Sequence, residues 1–211
     1  MRLTKLGHSC VRLEKDGTRL VIDPGVWSGS DPLAGADAVL ITHRHFDHLD
    51  ADVVTNALEH NPQLELWTTP DVAEQLASFG GRVHAIGHGD AFTAAGFDVH
   101  VYGHEHARIH PEVPTVPNVG FAIEGNVFHP GDAFTIPDEP VSTLLLPISA
   151  PWLKVSEMID YARAVGPQVS YGIHDELLNA NGLTLVERLA TGLLGQAGGY
   201  VRLEPGASAE L

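Results

Sequence analysis

The sequence predicts an α/β protein, and its order of elements fits two mixed β-sheets packed face to face with helices on the outside, although periodicity alone does not fix the topology. Three observations carry this expectation. Short apolar runs bounded by turn residues alternate with stretches of helical spacing. Both halves of the chain place strands first and then interleave helices with strands. Several of the strands end in histidine or aspartate, which aims polar side chains from a sheet edge.

The chain has 211 residues, 44% of them hydrophobic, enough for one large domain with a real core. One domain is expected over residues 1–204, with a flexible tail over 205–211. No apolar run approaches the roughly 20 residues that span a bilayer. Met1 to His8 contains no long apolar stretch, so no signal peptide is expected. Cys10 is the single cysteine and has no intrachain disulfide partner, which points to the cytoplasm. The formal net charge of −15 repels phosphate backbones and anionic membranes. Neither nucleic acid nor membrane is therefore expected as a partner. A small-molecule substrate is, and a homo-oligomer is compatible with the sequence.

The elements follow in order. Leu3–Leu6 and Cys10–Glu14 read as strands, and Asp16-Gly17 is a hairpin signal before the return strand Thr18–Ile22. Ala38–Ile41 is a buried strand. Val53, Val54, Ala57 and Leu58 have helical spacing, and Asp50 is placed to cap that helix. Leu64–Trp67 is a strand, and Val72, Ala73, Leu76 and Ala77 mark a helix ended by Gly80-Gly81. Phe97, Val99 and Val101 alternate with polar residues in a half-buried strand. Val119–Ile123 and Val127-Phe128 form a hairpin across Glu124-Gly125-Asn126. Ser142–Leu146 is a buried strand, and Val155–Val165 carries an apolar helical stripe closed by Gly166-Pro167. Val169–Ile173 is a strand that ends at His174. Thr184–Glu187 resembles a capping box that opens a last helix to about Leu194, and Tyr200–Leu203 is a final strand.

His43-Arg44-His45-Phe46-Asp47-His48 is the most informative segment. It places three imidazoles and a carboxylate directly after a strand. These are ligands that zinc and similar divalent ions favour. His43 and His45 lie two apart and point the same way in extended chain. Asp47 and His48 follow in the turn and are better placed for a second ion. Three later strands also end in ligand residues, at His104-Glu105-His106, at His129-Pro130-Gly131-Asp132 and at His174. A structural zinc site is disfavoured, because such sites are usually closed and cysteine-rich. His60, His84, His88, His100 and His110 have no motif support, and His129 is read as bonding within its own loop.

The H-x-H-x-D-H motif followed by His, Gly-Asp and His resembles the metallo-β-lactamase-fold superfamily. Leu6-Gly7-His8-Ser9, Ile22-Asp23-Pro24 and Phe128–Asp132 are similar to its small bacterial metal-dependent hydrolase branch, which includes L-ascorbate-6-phosphate lactonase-like proteins. The resemblance implies an αββα sandwich with two divalent metals at one edge, zinc first and manganese or iron as alternatives. It implies that His43, His45 and His106 bind one ion and that Asp47, His48 and His174 bind the other. Asp132 would bridge them, and the aligned segment after Gly96 favours His106 over His104. Asp132 and Asp47 would be the catalytic carboxylates. The implied reaction is attack of a metal-bridging hydroxide on a small ester, lactone or phosphoryl substrate. A phospholipase D-like phosphodiesterase and a non-catalytic metal sensor are the alternatives. His8 is a candidate to touch a ligand or substrate. Asp23 either orients a ligand or starts the turn with Pro24, and Trp152 either walls the pocket or fills the core.

Overall fold

Cys10–Lys15 (β2) and Thr18–Ile22 (β3) pair antiparallel across Asp16-Gly17. Both turn residues have positive φ, 51° and 85°, as a tight two-residue hairpin requires. This is a computed structural model, and it describes residues 1–195 and 198–211. Arg2–Gly7 (β1) precedes the hairpin, and Ala38–Ile41 (β4) follows it. The chain continues through Ala51–His60 (α1), Glu65–Thr68 (β5), Pro70–Gln75 (α2), a 3-10 turn at Ala77–Arg82 and Val83–Ala85 (β6). Ala91–Ala94 (β7), Phe97–Tyr102 (β8), Gly120–Ile123 (β9) and Val127–His129 (β10) come next. Thr143–Pro147 (β11), Val155–Val165 (α3), Val169–Ile173 (β12), Ala180–Leu194 (α4), Gly199–Val201 (β13) and Ser208–Glu210 (β14) complete the order.

Among the described residues the strands form two mixed sheets, β14-β1-β2-β3-β4-β5-β6 and β13-β12-β11-β10-β9-β8-β7. The period-two alternation of the strands decides the layers. Leu20, Ile22 and Leu40 of one sheet meet Phe97, Val99, Phe121 and Leu145 of the other in the central core. Val21, Val39 and Ile41 face outward onto Val54 and Leu58 of α1. Leu144 and Leu146 face outward onto Met158 and Ile159 of α3 and Ala190 of α4. Three apolar layers between four structural ones make the αββα sandwich that was expected.

Some expectations change. The segment 205–211 is not a flexible tail, because β14 pairs antiparallel with β1, Leu3 opposite Ala209. The Leu211 amide donates to Met1 O at 2.8 Å and extends the pairing. α4 starts four residues before Thr184. Asn179 caps it by accepting the Gly182 amide at 3.0 Å, and the Thr184 hydroxyl bonds back to Ala180 O inside the helix. The last predicted strand lies slightly earlier, at Gly199–Val201. The short strands β6 and β7 had no sequence signal. Asp50 does cap α1, accepting from the Asp52 and Val53 amides.

Candidate metal centre

Within each sheet the strands that feed the site run in one direction. β3 and β4 are parallel, and β1 shares their direction because two antiparallel pairings separate it from β3. β10 and β12 are each parallel to β11, and β8 runs with them through the antiparallel β9. Their C-terminal ends therefore deliver His8, Asp23, His43, His106, Asp132 and His174 to one edge of the sandwich. His8, Asp23 and His174 have left-handed backbone, with φ of 43°, 53° and 60°. Glycine adopts this conformation without strain. Here a polar side chain occupies it three times at one place, as strained residues do at functional sites.

His43, His45 and His106 bring one ligand atom each within 4.8 Å of the others. His8, Asp47, His48 and His174 form a second such group, and His43, His48 and Asp132 a third between them. Asp132 lies at the junction. Its Oδ1 is 3.0 Å from His48 Nε2, and its Oδ2 is 3.3 Å from His106 Nε2 and 3.1 Å from His174 Nε2. His104 is outside the cluster and exposed, its ring tilted at 55° against that of His88 with centroids 4.5 Å apart. The two histidines are separated by one residue, yet His106 is buried and His104 is exposed.

Hydrogen-bond partners assign the imidazole protons. His48 Nδ1–H donates to Asp23 Oδ2 at 2.6 Å. His174 Nδ1–H donates to Ser149 O and His106 Nδ1–H to Ala107 O, each at 2.5 Å. Thr42 Oγ1 spends its own proton on Asp23 Oδ2 at 2.7 Å, so it accepts from His43 Nδ1–H at 3.0 Å. In their neutral form all four rings thus turn an Nε2 lone pair toward the cluster, the tautomer that metal-ligating histidine adopts. His48 Nε2, His174 Nε2 and Asp132 Oδ1 are buried without an aligned hydrogen-bond partner. Buried polar atoms left without partners in this way are costly. A divalent cation satisfies all three at once, so the residues present fit a bound metal.

His8 is different. Its Nδ1 accepts the Glu176 amide at 3.3 Å, which places the proton on Nε2, and this N–H donates to Asp47 Oδ2 at 3.3 Å. Burial pulls its pKa down to about 4, so the ring is neutral at neutral pH. His8 therefore holds the Asp47 carboxylate. His129 behaves likewise, accepting the Gly131 amide at 3.1 Å and donating to Ser9 O at 3.0 Å. It ties β10 to the first hairpin instead of bonding only within its loop. Trp152 Nε1–H donates to Asp132 Oδ2 at 3.0 Å, so it steers that carboxylate as well as walling the pocket.

Electrostatics follow from crowding. Burial opposes the charged form of Asp132, but the His48 and His174 rings outweigh it and hold the carboxyl well below its usual range. Asp47 is likewise lowered: burial works against its charge, and its bonds to His174 and His8 overcome that. Burial opposes the charge on His174 too, yet Asp132 beside it lifts the pKa to about 9. His48 is raised for the same reason by Asp132 and Asp23. Burial pushes His43 well down and the His48 ring adds to it, with Asp132 offsetting only part of both.

Several positioning residues had no sequence signal. Thr42 links Asp23 to His43, and Asn118 Oδ1 accepts the Asp132 amide at 3.0 Å. Both are ordinary residue types whose role arises only from partners far away in the chain. Gly25 is also required. A Cβ there would lie 2.0 Å from Asp47 O and 2.6 Å from His48 N, backbone atoms that cannot swing away. Gly25→Ala is expected to cost about 2–3 kcal/mol of stability by overpacking and to lower metal affinity. Chemical denaturation beside metal titration checks both.

The cluster opens into a cavity of about 560 Å³ lined by His45, Asp47, His106, Asp132 and His174. A family profile described as a beta-lactamase superfamily domain matches residues 2–174. The chain belongs to the β-lactamase superfamily. This member is 41% identical over 184 residues to Protein Rv0786c of Mycobacterium tuberculosis, covering 84% of this chain and 85% of that one. It is 30% identical over 151 residues to a UPF0173 metal-dependent hydrolase of Exiguobacterium, covering 65% of this chain and 66% of that one. Its structure is similar to Igni18, a metallo hydrolase of Ignicoccus hospitalis, with a TM-score of 0.74, 21% identity and coverage of 100% and 98%. The architecture of this superfamily member is the metallo-β-lactamase fold. Among its described residues no helix is long and apolar enough to cross a membrane.

Proposed function

We propose that this metal-dependent hydrolase works with two divalent ions and cleaves a small ester, lactone or phosphoryl substrate. The observation that carries the reading is the convergence of His48, His174 and Asp132 through buried atoms without aligned partners, between two further ligand groups. His43, His45 and His106 would hold one ion, and Asp47, His48 and His174 the other. Asp132 would lie between them. When bound, such a pair supplies a hydroxide nucleophile at neutral pH and polarises an electrophilic oxygen. The chain's own residues do the positioning. Asp23 fixes the His48 ring, Ser149 O fixes His174, His8 fixes Asp47, and Trp152 fixes Asp132. The cavity gives substrate access to Asp132 and His174 from one side. A donor set of imidazole and carboxylate suits zinc first and accepts manganese or iron.

Elemental analysis of purified protein is expected to find close to two metal ions per chain. Turnover on a panel of esters, lactones and phosphodiesters is expected to vanish with chelation and return with metal. Full activity in metal-free protein would refute the reading.

Metal affinity is expected to depend on pH. Without metal, His174 keeps a proton up to a pKa of about 9, and that proton must leave before its Nε2 lone pair can bind a cation. Affinity should therefore rise with pH, about tenfold per unit for each displaced proton, and level off above about 9. Calorimetric titration in buffers of different ionisation enthalpy counts the protons released. A pH-independent affinity would contradict the assigned ligands.

A further inference from the structure

The walls of the cavity describe the substrate. Trp27 and Phe46 form one side, their rings edge to face at 5.2 Å. Pro151 and Trp152 form another, and Ile109 and Leu177 complete the mouth. Phe46 is 58% exposed, Leu177 51% and Ile109 40%. Large apolar side chains left in water around one opening mark a surface that binds something apolar. The wall is continuous with the candidate metal centre, because His8 packs on His174 at 4.0 Å and edge to face on Trp27 at 4.9 Å.

Cations are scarce here. Arg44 is the single Lys or Arg among the lining residues, and its Nε faces Asp71 Oδ2 at 3.7 Å. Recognition of a phosphate group uses convergent cationic donors, typically a bidentate arginine fork. An arginine already facing a carboxylate, in a chain of net charge −15, is a poor phosphate receptor. Polar hydroxyl-rich arms fare no better, since the outer walls offer few side-chain donors or acceptors.

We infer that the substrate is a neutral ester or lactone with an apolar acyl or aryl arm that lies between the Trp27–Phe46 wall and Leu177. The inference rests on the hydrolase reading above and narrows it, setting aside a phosphorylated sugar-like substrate. The scissile carbonyl would sit beside Asp132 and His174, and the arm would point out past Phe46.

Hydroxamates of increasing chain length test this, because the hydroxamate head chelates metal while the arm alone explores the walls. Affinities of acetohydroxamate, butanohydroxamate, hexanohydroxamate and octanohydroxamate for the metal-loaded protein are measured by calorimetry. The expected result is acetohydroxamate binding only when metal is present, then tightening of about threefold to fourfold for each added CH₂ that becomes buried. Phe46→Ser and Leu177→Ser are expected to flatten that dependence with metal content unchanged. A flat series with acetohydroxamate still bound overturns the apolar-arm inference and leaves the hydrolase reading intact. Tighter binding of a hydroxamate with a phosphorylated polyol arm than of octanohydroxamate overturns it too. No acetohydroxamate binding in a metal-loaded protein removes the hydrolase reading and this inference with it.

Discussion

Asp132→Asn lowers kcat/KM by at least about 10³, on the order of 4 kcal/mol of transition-state stabilisation. The substitution keeps the size of the side chain but replaces one carboxylate oxygen with an amide that only donates. That oxygen faces His106 and His174 Nε2 at 3.3 and 3.1 Å and accepts from Trp152, while the other faces His48 Nε2. An amide donor aimed at these lone pairs leaves no arrangement that also accepts a cation. A second readout separates this from misfolding. Without the Asp132 charge, the main support for the raised pKa of His174 disappears. Its titration in the metal-free protein, followed by NMR, then moves down from about 9 toward or below the ordinary histidine value. Retained turnover together with an unmoved titration would overturn the role given to Asp132.

Asp23→Ala is expected to reduce metal affinity by about 10–100-fold, although Asp23 lies one layer behind the candidate ligands. Its carboxylate is fully buried and accepts three bonds, from the Thr42 amide at 2.7 Å, the Thr42 hydroxyl at 2.7 Å and His48 Nδ1–H at 2.6 Å. Removal frees the His48 ring to rotate and leaves buried donors without acceptors. A stability loss of about 3 kcal/mol accompanies the lost affinity. Asp23→Asn restores part of the stability, since its carbonyl still accepts from Thr42, but it cannot take up the His48 proton as well as a carboxylate does. Metal titration and denaturant unfolding of both variants check the order wild type, Asn, Ala. Equal metal affinity in all three proteins would mean that Asp23 serves only the turn.

Much of this molecule was legible from residues alone. Buried strands such as Ala38–Ile41 announce themselves by continuous apolar runs, and α3 by its stripe and by Gly166, which adopts φ 65° at the helix end. The candidate ligands were legible because each follows a strand within a short segment. β14 was not, because Ser208, Ala209 and Glu210 have little strand preference and are held by pairing with the edge of β1 and by Ala209 packing on the core. The start of α4 was not legible because Asn179 and Thr184 both suit a cap; Asn179 takes it by accepting the Gly182 amide, and Leu183 in the added turn packs against the core under α3 and α4.

The sequence by itself determined the inventory: which imidazoles and carboxylates exist, their order, and that they end strands. Tertiary structure decided their use. It turned His106 inward and left His104 in solvent, gave His8 a protonated Nε2, and aimed Trp152 at Asp132. It also assembled one apolar mouth from Trp27, Phe46, Ile109 and Leu177, residues far apart in the chain. The physical reason is the range of each signal. Hydrophobic periodicity and motif spacing report on one element at a time. Proton placement and pocket walls depend on strand ends from both sheets meeting at one edge, which only long-range pairing and packing fix.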